Sequence, residues 1–191
     1  MVTRGIPDDE LRRRQGIPAE AAQRIGDSLR RQGAEHDGLG LWPRIAEAQV
    51  RFLKMLEDVT EEQAHHRTAE GEWTIAEVVY HALEGGRAVL QVVEALAAGT
   101  KPNAILSPDP AYNMPTGRAL RDLRRDYTLM CARFAALAPA LTSATPRQPV
   151  HPHPFFGELS ARGWFAFQRV HDMDHGGQIE KLREATRTIQ G

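Results

Sequence analysis

Apolar residues recur at steps of three and four along most of the chain, the spacing that gathers them on one face of an α-helix. Four long segments carry such a stripe, and the first three stripes begin at Ile45, Ile75 and Leu120. The fourth segment runs from Ala161 to Thr186. No alternation of apolar and polar residues is long enough to predict a sheet. The pattern therefore predicts an all-α fold in which four helices pack as a bundle.

Residues at the ends of these segments predict where the helices begin. Thr74 is followed by Glu77 at the spacing of a capping box, so a helix is predicted to begin at Thr74, with a stripe that ends near Gly99. Ser160 can cap the last helix. Residues 38–43 hold two glycines and a proline, and we expect them to break the pattern before the first bundle helix.

The N-terminal part of the chain differs from the rest because it is rich in Arg, Asp, Glu and Gly and has only a thin apolar stripe. We interpret residues 1–40 as an extension with one short helix over residues 18–32, which Gly33 is expected to end. Residues 41–191 then form the bundle domain. The extension helix could pack on this domain or on a second subunit.

Two connections are longer than ordinary loops between bundle helices. Residues 100–115 hold four prolines and are predicted to form a functional loop or a crossover. Residues 139–159 form the second connection, which includes the proline-rich run from His151 to Gly157. We expect His151 and His153 to be exposed in that run, although a loop over the mouth of the bundle could bring one of them near a metal site.

Charge and composition exclude several classes of protein. The 24 Lys and Arg nearly balance the 25 Asp and Glu, so the chain lacks the basic field that recruits nucleic acid or an anionic membrane. No apolar run approaches the roughly 20 residues that cross a bilayer, and the N-terminus lacks an apolar signal region. Cys131 is the only cysteine, which fits a reducing compartment, and its apolar position favours packing over a nucleophile. We expect a cytoplasmic protein with no nucleic-acid partner and no membrane partner.

Two histidines, His171 and His175, lie one turn apart on the inward face of the last helix. At about 100° per residue they project within about 40° of each other. Burying an imidazole without a partner costs on the order of 1 to 3 kcal/mol, so a metal ion or hydrogen bonds must satisfy them. His81 lies beside the stripe of another helix, where Gly85 leaves room for its ring. Three such histidines can supply three nitrogens to a divalent ion and leave open positions for a substrate or water.

Two further polar residues lie near these histidines in the pattern. Glu77 lies about 40° from His81 on its helix and could orient that ligand, although its role in the capping box explains it more simply. Gln178 follows His175 by one turn. It could hold a substrate or a metal-bound water, or it could be a polar filler at the end of the bundle.

Three blocks of sequence together resemble the DinB (DNA-damage-inducible) superfamily, over Trp42 to about Thr186. They are Trp73-Thr74-x-x-Glu77-x-x-x-His81, His153-Pro154-x-x-Gly157 and His171-x-x-x-His175-x-x-Gln178. The resemblance implies an up-down-down-up four-helix bundle, a divalent metal on His81, His171 and His175, and a homodimer. Because the superfamily includes bacillithiol transferases and mycothiol-dependent maleylpyruvate isomerases, it also implies a low-molecular-weight thiol as cosubstrate.

Two functions from different classes follow. The first is an enzyme whose three-histidine site holds zinc or nickel and activates a thiol or water toward a small-molecule substrate between the helices. Thiol transfer, thiol-assisted isomerisation and hydrolysis all fit this site, and the sequence identifies no catalytic residue beyond the metal ligands. The second is a metal-stabilised or metal-free helical module for dimerisation or binding, whose histidines are satisfied core residues.

Overall fold

The structure is a computed structural model that describes residues 17–103, 117–142 and 149–187. Within these ranges the chain is mainly helical, with one short hairpin and a 3-10 turn at Ala138–Ala140. The elements are α1 (Ala19–Glu35), α2 (Gly38–Lys54), α3 (Glu61–His65), α4 (Ile75–Ala97), α5 (Leu120–Leu137), β1 (Val150–His153), β2 (Gly157–Ser160) and α6 (Ala161–Thr186). None of the helices in the described ranges has the length and apolar character needed to cross a membrane.

The residues that meet between helices give the direction of each bundle helix. α4 and α6 are antiparallel, because His81 lies beside His175 while Gly85, further along α4, lies beside His171. α4 and α5 are parallel, as shown by the ion pairs Arg87 with Asp126 and Glu94 with Arg133. α2 and α6 are also parallel, as shown by the neighbours Gln49 with Asp172 and Met55 with Gly176. The bundle therefore has the predicted up-down-down-up arrangement.

This arrangement requires a long crossover, because the parallel pair α4 and α5 are consecutive in the chain. Residues 98–119 make that connection, as the prolines predicted, and residues 104–116 of it lie outside the described part. The core between the helices is filled by their apolar stripes. Its largest fully buried side chains include Trp164, Tyr127, Phe52, Phe134 and Phe165.

The predicted caps are present. Thr74 and Glu77 form the capping box that starts α4, and Thr60 forms another at α3. The hydroxyl of Ser160 accepts a hydrogen bond from Gly163 N at the start of α6. At α5 the carboxylate of Glu61 accepts from Leu120 N at 2.9 Å, so a side chain from another helix caps this one.

The expected break at residues 38–43 is wrong, because α2 begins at Gly38. Asp37 caps it by accepting a hydrogen bond from Gly40 N at 2.7 Å. Pro43 lies inside the helix and removes one backbone donor there. The cap and the buried side chains of Leu41 and Ile45 outweigh that loss.

The predicted all-α fold is confirmed, and residues 150–160 add one short antiparallel hairpin that the sequence did not predict. Its register pairs Val150 with Ser160 and His153 with Gly157. Gly157 has φ +73°, which favours glycine at this turn. The strands are too short, at four residues each, to produce an alternating pattern.

α1 continues to Glu35, so Gly33 does not end it as predicted. A Cβ on Gly33 would lie 2.7 Å from Gly163 N, which shows that glycine here lets α1 approach the backbone of α6. Leu29 is buried in the same contact. The extension helix therefore packs on its own bundle, while the division into domains at residue 40 stays a prediction.

Replacing Gly33 by alanine should destabilise the protein. Alanine favours a helix over glycine by about 1 kcal/mol, but overpacking against a backbone typically costs about 1 to 3 kcal/mol, so the free energy of unfolding should fall. Urea denaturation measures it. Gly177→Ala is the control, because nothing lies within 4 Å of a Cβ at that helical position, and it should stabilise. A Gly33→Ala variant as stable as this control would contradict the contact.

Candidate metal centre

The structure brings the three predicted histidines together. The cap at Thr74 sets the phase of α4, which places His81 on the side that faces α6. His171 and His175 project from α6 toward it, and candidate ligand nitrogens of the three side chains lie within 4.8 Å of one another. The ring centroids are 4.4 Å apart for His81 and His175, and 4.5 Å apart for His171 and His175. This cluster could hold a metal ion.

The surroundings of His171 fit an ion as well. Its Nδ1 is buried and has no hydrogen-bond partner in the described ranges. On the other side of the ring, a Cβ on Gly85 would lie 2.8 Å from Nε2, so only glycine leaves the imidazole its space. An ion of zinc's size holds nitrogens at about 2.0–2.1 Å, which places two ligands at most about 4.2 Å apart. Small ring rotations would therefore close the cluster on one ion.

All three rings are neutral at pH 7, which leaves lone pairs free for a metal. Burial, and after it the neighbouring His175, lower the pKa of His81 to about 3. Burial and the other histidines hold the pKa of His171 well below its usual value. Burial also lowers the pKa of His175, against the opposing effect of Gln178. The site therefore disfavours protons on the groups that would ligate a cation.

Gln178 contacts His175 directly. Its Oε1 lies 2.9 Å from Nδ1 of His175, which donates its proton to that oxygen in the matching tautomer. The Nε2 atom of His175 is then unprotonated and can ligate a metal. Partners of this kind fix the tautomer and the orientation of a ligand ring. Gln178 is exposed, and its suggested role in holding a substrate or a metal-bound water stays a prediction.

Glu77 is engaged by other groups. Its carboxylate accepts hydrogen bonds from Thr74 N at 2.7 Å and from Arg67 at 2.6 Å. Burial would raise the pKa of Glu77, but these bonds outweigh it and the pKa is lowered. The capping role that the sequence favoured is present, and a role in orienting His81 stays a prediction.

Aromatic side chains form the walls beside the histidines. The ring centroid of Trp73 lies 5.2 Å from that of His81, and the centroid of Phe167 lies 5.6 Å from that of His171. Their apolar surfaces limit the access of water to the cluster. This packing contributes to the burial that lowers the pKa values of the histidines.

His153 is buried, so its expected exposure is wrong. Only 7% of its surface is exposed, because the hairpin folds back onto α6. The ring stacks on Phe156 at 4.5 Å and meets Phe167 edge-on at 4.4 Å, measured between ring centroids. Its Nδ1 accepts a hydrogen bond from Phe155 N at 3.1 Å. The ring therefore carries its proton on Nε2. The two phenylalanines that follow His153 were the sequence signal for burial.

Acid should destabilise the protein partly through His153. Burial lowers its pKa from 6.5 to about 3. Between these values the unfolded chain binds a proton that the folded chain does not, so this contribution is lost as pH falls below 6.5, by up to about 1.4 kcal/mol per pH unit.

The variant His153→Asn tests this, because the Asn oxygen can still accept from Phe155 N. The free energy of unfolding, measured between pH 4 and 8 with a chelator present, should fall less steeply in acid for the variant. If the unfolding free energies of the variant and of the unchanged protein fell equally with pH, the pKa of His153 would not be lowered in the folded protein.

Cys131 lies apart from this chemistry. The residue is partly buried in α5, and burial followed by the charge of Asp172 raises the pKa of its thiol. The thiol is therefore protonated at neutral pH. Its packing role agrees with the sequence.

Comparison with known proteins identifies the family to which the chain belongs. The family model of the DinB superfamily matches residues 44–179. That range begins in α2, includes all three histidines and leaves α1 outside. No curated protein and no solved structure matches the chain.

Proposed function

Because this chain belongs to the DinB superfamily, we propose that it is a metal-dependent enzyme that activates a low-molecular-weight thiol or water at His81, His171 and His175. The observation that carries the proposal is the convergence of three neutral imidazoles from two helices within 4.8 Å. A closed structural site normally has four protein ligands, whereas three leave a position for a reacting group.

The metal is zinc or nickel in this proposal, since borderline ions of this kind favour imidazole nitrogen. A bound ion would supply Lewis acidity, which lowers the pKa of a thiol or water molecule that it binds. The chain's own residues prepare the site. Gln178 fixes the ring of His175, and Gly85 leaves space for the ring of His171.

The thiol version and the water version both rely on the metal, and not on a side chain, for removal of the proton. The carboxylate of Glu77 is bound by Thr74 and Arg67, and that of Asp172 is bound by Tyr127 and Gln168. Glu77 is therefore engaged by other groups, and Asp172 is only 1% exposed and points to Tyr127 and Gln168 in the core. Neither version needs a side-chain base, because a metal lowers the pKa of a bound thiol and of bound water toward neutrality. The thiol titration therefore decides between them.

Cobalt-loaded protein tests thiol activation. Mycothiol, bacillithiol and glutathione are titrated separately while the near-ultraviolet spectrum is followed for a sulfur-to-cobalt charge-transfer band. We expect a saturable band with at least one thiol and none in the variant His171→Ala. Metal binding without a band for any of the three would contradict the thiol version and leave water as the activated group.

Absence of metal binding would contradict the whole proposal. The histidines would then be core residues of a dimerisation or binding module. Homodimerisation and a cytoplasmic location stay predictions in either case.

A further inference from the structure

The helix α2 has two apolar faces. One face packs into the bundle through Leu41, Ile45 and Phe52, each of which is at most 2% exposed. The other face lies about 150° round the helix and is turned to solvent. On that face Leu39 is 57% exposed and Val50 is 53% exposed. A helix on the surface of a monomer normally has one apolar face, with polar residues opposite. The second face therefore indicates a partner.

The exposed face has the spacing that lets two helices pair. Its apolar residues follow one another at steps of four, three, four and three, which is the alternation of a heptad repeat. They are Leu39, Pro43, Ala46, Val50 and Leu53. Isolated apolar residues are common on the surface of a monomer, but an ordered row of them along one helix is not.

A shallow groove of about 470 Å³ lies along this face. Apolar and charged side chains both line it in the described part of the chain. They are Pro43, Ala46, Glu47, Val50, Arg51 and Lys54. An occupant of the groove must therefore present apolar side chains together with charges of both signs.

The order of the charges indicates which occupant fits. Glu47 is followed by Arg51 one helical turn later and by Lys54 two turns later, along one edge of the face. When two identical helices pair antiparallel about a twofold axis, the same edge of each helix comes together, and residue i of one copy meets residue j of the other while j meets i. Glu47 of each copy then lies beside the basic residues of the other. The face is complementary to itself in charge as well as in apolar spacing.

We propose that a second copy of this chain binds to this face, with the α2 helices of the two protomers antiparallel. The three histidines lie on α4 and α6, so this pairing does not rest on the metal. A single pair of helices buries less than the roughly 800 Å² per partner of a standard interface, so the dimer dissociates on dilution.

Sedimentation velocity of the full chain tests the pairing. We expect a reversible dimer with a dissociation constant on the order of micromolar. The constant should be the same with a chelator and with excess zinc, which separates this proposal from that of the metal site. A chain that stays monomeric in both conditions at about a hundred times that concentration would overturn the proposal and leave the face to a different occupant.

The variant Val50→Glu tests whether this face forms the dimer. It should raise the dissociation constant at least about tenfold, because each copy would bring an unpaired carboxylate into the contact. The matched control is Leu129→Glu, since Leu129 is 60% exposed on α5 and lies outside the face. Both replaced side chains are exposed, so both variants should fold, which circular dichroism checks. Equal dissociation constants for the two variants would show that the copies pair elsewhere and would overturn the proposal.

Charge reversal tests the antiparallel arrangement. Glu47→Lys and Lys54→Glu should each weaken the dimer, because each places like charges side by side across the axis. The double variant should recover affinity relative to both single variants, since the pairs form again with their signs exchanged. Losses that add in the double variant would overturn the antiparallel contact.

Discussion

The variant His171→Ala should lose divalent-metal binding, with an affinity at least about a hundredfold below that of the unchanged protein. Removing only a residue that orients a ligand typically costs ten- to a hundredfold in affinity, and removing a ligand should cost more. His171 should be particularly sensitive because its Nδ1 is buried without a partner and its Nε2 lies close to Gly85. His81→Ala should have a similar effect.

Competition with a chromogenic chelator measures this affinity. The control is His66→Ala, since His66 is exposed beyond the end of α3 and should not affect the metal. Circular dichroism in the presence of chelator checks that each variant is folded. An affinity for His171→Ala within a few-fold of the His66→Ala value would contradict the assignment of His171 as a ligand.

Gly85→Ala should stabilise the metal-free helix and weaken metal binding at the same time. Replacing glycine by alanine inside a helix stabilises the helix by about 1 kcal/mol. However, its Cβ would lie 2.7 Å from Cε1 of His171 and 2.8 Å from Nε2, so the imidazole must move. A displacement of one ligand ring should cost at least about tenfold in affinity, in the range seen when ligand orientation is disturbed. Few substitutions are expected to act in opposite directions on these two quantities.

The control for this variant is Gly177→Ala, on α6 close to the site, where a Cβ would have nothing within 4 Å. It should raise the free energy of unfolding without affecting the metal. Thermal unfolding with chelator and metal competition are measured on both variants. Equal metal affinities for the two would show that the space beside Gly85 is not needed by a ligand.

Local features made much of this protein predictable from its sequence. The apolar stripe of α4 and its Thr74 cap depend on residues within a few turns. They therefore predicted where this helix begins and on which of its sides His81 lies. The spacing of His171 and His175 similarly placed two imidazoles on one face. The helical pattern alone does not show that these two faces contact each other. That prediction came from the bundle arrangement, which the resemblance to a family implied.

Features that depend on distant contacts were missed. Gly33 was expected to end a helix, because its fit against Gly163 is invisible before α1 is placed on α6. His153 was expected to be exposed, because its burial depends on a hairpin of two very short strands. Tyr127, a hydrogen-bond partner of Asp172, lies on a different helix, and no spacing along the chain connects the two residues.

The central claim is that these three histidines bind one ion together. Metal analysis of tag-free protein, followed by X-ray absorption at the edge of the bound metal, tests it most directly. We expect about one divalent ion per chain, with three imidazole nitrogens at about 2.0–2.1 Å. The remaining coordination position should hold an oxygen or a sulfur ligand. Substoichiometric metal, or a shell with fewer than three imidazoles, would contradict it.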